Sequence, residues 1–246
     1  MSQEPNTPAG LHVVVIGASG GIGAALVELL AARDEVAKIT AFSRAPVAGA
    51  SPKVVTAGMD LLDEASVAAG AAACADPAPR WVICATGLLH GADLQPEKSL
   101  RDLDPEKFAR VLAVNTIGPA LVLKHFAPVL PREGKSVLAL LSARVGSISD
   151  NRLGGWYAYR SSKAALNQLV RTAAIEVGRR WKEAALVGLH PGTVATPLSA
   201  PFRGNVAPGK LFTSMESAGH LLAVIDRLTA ADSGKCLAWD GSEIPP

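Results

Sequence analysis

Apolar residues run along this chain in two alternating rhythms. Short continuous runs rich in aliphatic and β-branched residues, at 11–16, 36–42, 53–57, 81–84, 136–141, 184–190 and 235–239, predict seven strands. Between them, segments with helical spacing predict helices over 22–33, 64–74, 105–127, 156–180 and 215–228. Runs that are apolar at nearly every position suit strands covered on both faces, and strand-helix alternation to the chain's end predicts an α/β fold with a parallel sheet. The expected architecture is a doubly wound three-layer sandwich, a seven-stranded parallel sheet with helices on both faces. The third helix has a clear start, in which Asp104 caps the first amides, Pro105 supplies a preset φ and Glu106 suits the positive dipole end. The stretch 197–213 has no usable period and contains Pro201, Gly204, Pro208 and Gly209, so it is read as a loop long enough to form a substrate-binding lid.

A length of 246 residues suits one domain spanning 1–246, and no repeat or linker divides it. Residues 1–10 lack a cationic start and an apolar core, so they are expected to be a disordered lead-in and not a signal peptide. Glycines and Glu28 interrupt the apolar stretch at 11–32, and no membrane span is expected. The 24 basic residues are interspersed with 22 acidic ones at a net charge of +2, which argues against nucleic acid as a partner. Three cysteines without CxxC spacing, and five histidines without ligand spacing, suggest neither a disulfide framework nor a metal site, consistent with a reducing cytoplasmic setting.

Directly after the first predicted strand comes Gly17-Ala18-Ser19-Gly20-Gly21-Ile22-Gly23, followed at once by the first predicted helix. The amides and positive dipole of a helix N-terminus hold a pyrophosphate if no side chain keeps it off the backbone, and Gly17, Gly21 and Gly23 meet that need. The strand-loop-helix context marks a Rossmann-type dinucleotide site, although the spacing is GxxxGxG. The second strand ends Ala41-Phe42-Ser43-Arg44. Where a carboxylate would hold the ribose of NAD, a guanidinium suits the extra phosphate of NADP, so NADP(H) is the preferred cofactor and NAD(H) the alternative. A solvated surface arginine is the competing account of Arg44.

Tyr159 and Lys163 stand four residues apart in a predicted helix, on one face and one turn from each other. A nearby ammonium favours the phenolate and brings proton transfer closer to neutral pH, which suits a general acid facing a carbonyl oxygen. Tyr157 is followed four residues later by Ser161, so only Tyr159 has this partner. Ser142 ends the fifth strand run, and polar residues at the carboxyl ends of parallel strands point into the ligand crevice. Its hydroxyl can donate to the same oxygen, or simply satisfy nearby backbone.

The glycine motif, strand-end Ser142 and the Tyr159–Lys163 pair together resemble the short-chain dehydrogenase/reductase family over essentially the whole chain. The resemblance implies a catalytic set of Asn115, Ser142, Tyr159 and Lys163, with Asn115 in a locally kinked helix that holds a relay water. It further implies cofactor contacts from Gly17, Ser19, Gly20, Gly21, Ile22 and Gly23, and from Ser43 and Arg44. Asp60 and Leu61 fall at the adenine and Ala85 and Gly87 after the fourth strand. Tyr159 and Lys163 also face the cofactor, and Pro191, Gly192, Val194 and Thr196 the nicotinamide. The stretches Gly146-Ser-Ile-Ser-Asp-Asn151 and Gly154-Gly-Trp-Tyr-Ala-Tyr-Arg160 are similar to the C-factor and sniffer-like carbonyl reductase subgroup. Two departures stand out. Cys84-Ala85-Thr86-Gly87 replaces the family's Asn-Asn-Ala-Gly, removing bracing hydrogen bonds, and Ser19 replaces a basic residue found in many NADP-preferring members.

The implied activity is NADP(H)-dependent interconversion of a small-molecule carbonyl and its alcohol by hydride transfer, with Tyr159 as general acid/base. A nucleotide-binding signalling or regulatory protein of C-factor type is the alternative, because a fold does not fix a function. A sensor needs the glycine loop but not Ser142, Tyr159 and Lys163 together. The helices at 105–127 and 156–180 are apolar on more than one face, and related proteins pair through them, so a homodimer or homotetramer is expected. His90 is read as structural, and Trp156, Tyr157, Phe202, Leu211 and Phe212 as core residues or substrate walls.

Overall fold

The structure is a computed structural model that describes residues 10–46, 49, 51–205, 209 and 211–246, the side chains of 202–205 excepted. The lead-in at 1–9, Pro208 and the side chain of Phe202 therefore lie outside the described residues. The seven expected strands are present: β1 (Leu11–Ile16), β2 (Val36–Ser43), β3 (Val54–Gly58), β4 (Trp81–Cys84), β5 (Ser136–Leu141), β6 (Ala184–His190) and, after two short strands, β9 (Cys236–Ala238). They form one sheet in the order β3-β2-β1-β4-β5-β6-β9, and every pairing is parallel. The order reverses between β1 and β4, which opens a crevice at the carboxyl ends of these strands, where doubly wound folds bind ligands.

Alternate residues of each strand feed two separate cores. Val13 and Val15 pack with Leu26 and Leu30 of α1 (Gly21–Ala31) and with Leu221 and Ile225 of α6 (Ser214–Arg227). Val14 and Ile16 pack on the other face against α2 (Glu64–Ala73), α4 (Gly118–Phe126) and α5 (Tyr157–Val177), through Val67, Phe126 and Leu166. Asp63 and Asp104 cap α2 and α3 (Pro105–Leu112), each carboxylate accepting from amides in the first turn.

Beyond shifts of one to three residues at the ends of other elements, three departures from expectation have a local cause. The helix expected over 105–127 is interrupted by a π turn, Ala113–Ile117, between α3 and α4. Pro119 has no N–H to offer the carbonyl four residues back, that of Asn115, and the wider turn accommodates the loss. The stretch 197–213, expected to be a lid loop, carries regular structure among its described residues. Pro197–Asn205 forms a 3-10 helix, and Leu211–Phe212 forms β8, paired with β7 (Thr193–Val194). Finally, α6 starts one residue early because Thr213 and Glu216 form a reciprocal capping box.

The stretch Pro105–Val129 is long and apolar enough by composition to cross a membrane, but half of it is buried inside the fold, where Val122 and Phe126 belong to the core. No group of three or more metal-ligating side chains occurs among the described residues.

Candidate active site

The crevice is a cleft of about 500 Å³ lined by Gly17, Ser19, Gly20, Ser43, Arg44, Asp60, Leu61, Ala85 and Gly87, among others. Backbone geometry explains the glycines. Gly17 has a φ of +87°, and a Cβ there would lie 2.9 Å from the Ala85 carbonyl oxygen. A Cβ on Gly23 would lie 2.2 Å from the Gly17 oxygen, so this residue lets the loop fold back on α1. Gly20 offers no side-chain cap, leaving the first amides of α1 for an outside acceptor. Gly21 and Ile22 occupy that first turn. Such a cradle fits a pyrophosphate held by backbone.

Where β2 ends at the cleft, Ser43 is buried and Arg44 exposed, and Arg44 makes no ion pair among the described residues. One Asp60 oxygen accepts from the Leu62 amide, closing a turn at the rim. The bracing in doubt at β4 is supplied in part by Cys84 Sγ, which lies 3.3 Å from Thr86 Oγ1.

At the opposite end, Gly87 leads into the titratable groups. A Cβ on Gly87 would lie 3.9 Å from Asn115 Oδ1 and 4.0 Å from Lys163 Nζ, so both groups border the cleft. Asn115 sits in the π turn. Its Oδ1 accepts from the Leu88 amide at 2.7 Å, and its Nδ2 donates to the Leu88 carbonyl at 2.8 Å and to Ser162 Oγ at 3.1 Å. Lys163 is 2% exposed and donates to the Leu141 carbonyl at 2.8 Å, while its ammonium lies 5.7 Å from the Tyr159 ring centroid. The edge of Trp156 meets the same ring, centroids 6.2 Å apart.

Burial acts on this pair against the simple expectation from the sequence. It raises the Tyr159 phenol to about 12 and lowers the Lys163 ammonium to about 8, because each charged form is poorly solvated there. In this state the phenol keeps its proton, the form a general acid needs. Ser142, the residue following the Leu141 carbonyl that anchors Lys163, is 3% exposed, and its Oγ donates to Asn167 Oδ1 at 2.6 Å.

The residues expected at the nicotinamide lie across the glycine loop. A Cβ on Gly21 would lie 2.9 Å from Thr196 Cγ2, which puts Thr196 against the loop. The Val194 carbonyl is already engaged by the Thr196 amide and by Ser199 Oγ, and Pro191 accepts from Ser217 Oγ at 2.8 Å. Gly192, with φ +77°, packs beneath Phe212. The Phe212 ring in turn meets Trp239 and His220 and so anchors β8.

Comparison with known proteins decides the family. A family model described as short chain dehydrogenase matches residues 11–207. A 1-hydroxy-2-glutathionyl-2-methyl-3-butene dehydrogenase of Rhodococcus sp. is 32% identical, covering 94% of this chain and 97% of its own. The chain belongs to the short-chain dehydrogenase/reductase family. The C-signal protein of Myxococcus xanthus is 35% identical over 60% of this chain and 83% of its own. Among solved structures, an NADPH-bound carbonyl reductase from chicken fatty liver superposes with a TM-score of 0.84 at 27% identity, covering 96% of this chain and 94% of that one. Carbonyl reductase Sniffer of D. melanogaster shares the fold, with a TM-score of 0.82 at 21% identity, covering 97% and 99%.

Four residues beside the site of this short-chain dehydrogenase/reductase lie outside the set read from the sequence. Glu97 is buried, and its carboxylate accepts from the Ala158 amide at 3.2 Å, capping the helix that carries Tyr159 from a distant loop. Gly146 lies against Lys163, whose Cβ would be 2.8 Å from an added Cβ. His190 ends β6, held neutral because burial pushes it down to about 4. Asn167 partners Ser142. Of these only Gly146 falls in a stretch similar to the carbonyl reductase subgroup, Gly146–Asn151, and there without a role of its own. The one readable signal is that Asn167 follows Lys163 by one helical turn on the face that carries Tyr159.

Proposed function

We propose that this enzyme is an NADP(H)-dependent carbonyl reductase or alcohol dehydrogenase acting on a small molecule. One observation carries the reading: the Lys163 ammonium, anchored on Leu141 and set beneath the Tyr159 ring, borders Gly87 at the end of a cleft that begins at the glycine loop. When bound, the dinucleotide supplies or takes up the hydride. The chain's own residues do the rest. The glycine loop and the first turn of α1 hold the phosphates, Arg44 with Ser43 and Ser19 meets the 2′-phosphate, and Lys163 binds ribose. Tyr159 gives its proton to the substrate oxygen as charge develops there, Ser142 donates to the same oxygen, and Lys163 stabilises the phenolate left behind. Asn115, bonded to Leu88, holds the π turn open beside Lys163 for a relay water.

The NADPH of the chicken carbonyl reductase supports the choice of cofactor, as does the NADP bound to a short-chain dehydrogenase of Burkholderia cenocepacia, 25% identical with a TM-score of 0.73. The test is a panel of aldehydes, ketones and quinones incubated with NADPH while its absorbance is followed. Substrate-dependent loss of NADPH is expected, and none with any class would count against the reading.

The likeness to C-signal favours a second reading, a cytoplasmic nucleotide-binding regulator. It predicts cofactor binding without turnover. Under either reading a second copy of this chain covers α4 and α5, between which lies a groove of about 970 Å³ lined by Leu123, Leu169 and the exposed Ile175. A monomer in light scattering at micromolar concentration would remove that part.

A further inference from the structure

Three side chains from separate elements converge over Gly188 of β6. A Cβ there would lie 3.3 Å from Asn167 Oδ1, 3.4 Å from Cys236 Sγ and 3.4 Å from Ser142 Cβ. The missing side chain at Gly188 is what lets α5 lower Asn167 onto the serine. The Ser142 hydroxyl is also a hydrogen-bond partner of Cys236, whose thiol burial pushes up to about 11. That thiol stays protonated at neutral pH and acts as a weak polar neighbour, not a nucleophile.

The serine has one proton, and in this structure it is given to Asn167 Oδ1 at 2.6 Å. A hydroxyl donating there has no proton for a substrate oxygen. The other orientation of the amide reverses the bond. Nδ2 then donates to Ser142 Oγ, and the serine proton is released toward the cleft. Oxygen and nitrogen of a side-chain amide are nearly identical in shape. The Asn167 side chain makes no second hydrogen bond among the described residues, so turning it breaks nothing else. Donation from Nδ2 also polarises the hydroxyl, strengthening the bond it makes to an oxygen that is gaining charge.

We propose that Asn167 is the positioning residue of Ser142, its amide setting whether the serine proton points into the helix or at the substrate. The inference rests on the proposed role of Ser142 in the reaction. It assigns Asn167 no contact with substrate or cofactor.

A double-mutant cycle tests it, using parent, Ser142→Ala, Asn167→Ala and the double variant, with kcat and KM measured for an aldehyde that the parent reduces with NADPH. Ser142→Ala is expected to lower kcat on the order of 10²-fold, the usual loss of one donor at a developing oxyanion. Asn167→Ala is expected to lower kcat about 10-fold, as for one hydrogen bond that orients a partner, with KM and NADPH affinity little changed. The double variant should match Ser142→Ala alone, because Asn167 has nothing to act through once the hydroxyl is gone. Asn167→Asp keeps the shape and the acceptor but removes the donor, and should be at least as impaired as Asn167→Ala. Multiplicative losses in the double variant would assign Asn167 a separate structural role and overturn the proposal, as would parental kcat in Asn167→Asp. A Ser142→Ala enzyme with parental kcat would bring down the role of the serine itself, a different failure from an impaired Ser142→Ala paired with multiplicative losses.

Discussion

The two ends of the cleft are built by opposite means. The glycine loop works by leaving atoms out: Gly17 and Gly23 remove side chains that would strike backbone, and Gly20 withholds a cap so that α1 amides stay available. The end around Lys163 works by crowding: an ammonium, an asparagine and a serine are each held by a partner far away in sequence, and a phenol ring packs against the ammonium. A site made of backbone is written in local spacing. One made of buried side chains depends on distant partners, and its electrostatics come from packing.

The comparison predicts that the crowded end carries chemistry and the open end carries binding. Tyr159→Phe removes one oxygen, so turnover should fall ~10²–10⁴-fold while NADPH affinity, read by fluorescence titration, holds. Comparable losses in both would blur the division. Gly17→Val places a branched side chain at a φ of +87° against the Ala85 carbonyl, and NADPH affinity should weaken about 10²-fold from strain and collision together. Unchanged affinity would mean that the loop does not carry the phosphates.

Lys163 tests the energetics of crowding. Its folded value of about 8 lies below the ordinary 10.5. Between these values the unfolded chain holds more protons than the folded one, so stability rises with pH across that window, and below it the full cost of burying the ammonium is present. Lys163→Met should therefore abolish turnover yet raise Tm at pH 7, by a gain on the order of a few kcal/mol that disappears above about pH 10.5. A destabilised Lys163→Met at pH 7 would show that the bond to Leu141 outweighs burial. The smallest effect belongs to Arg44→Glu, which should reverse a preference for NADPH over NADH of roughly 10-fold, since a carboxylate repels the 2′-phosphate and accepts from a ribose hydroxyl. Equal affinities in the parent would leave Arg44 a surface residue.

Legibility in the sequence follows the same division. Strands β1, β4, β5 and β6 lie where their apolar runs placed them, because continuous burial on two faces leaves an unbroken pattern. The glycine cradle and the Tyr159–Lys163 pair were equally plain. Asn115 was singled out only by family resemblance, since its bonds to Leu88 and Ser162 span the fold. Asn167 and Glu97 gave no motif, and the short β8 is held by the Phe212 ring, which packs on Gly192 and meets Trp239 edge to face, a contact no local spacing shows. The upward shift of the Tyr159 phenol and the downward shift of the Lys163 ammonium were not legible either, because both come from burial.

On the proposed reading this cleft transfers hydride and does not merely hold a nucleotide. The most direct measurement uses NADPH deuterated at the reacting position of the nicotinamide, incubated with the parent enzyme and an aromatic aldehyde, with the product analysed by mass spectrometry and NMR. The account predicts one deuterium on the carbinol carbon for each NADPH consumed, and its disappearance from product in the Tyr159→Phe enzyme. Tight NADPH binding with no labelled alcohol from any aldehyde, ketone or quinone tried would contradict it and favour the nucleotide-binding regulator.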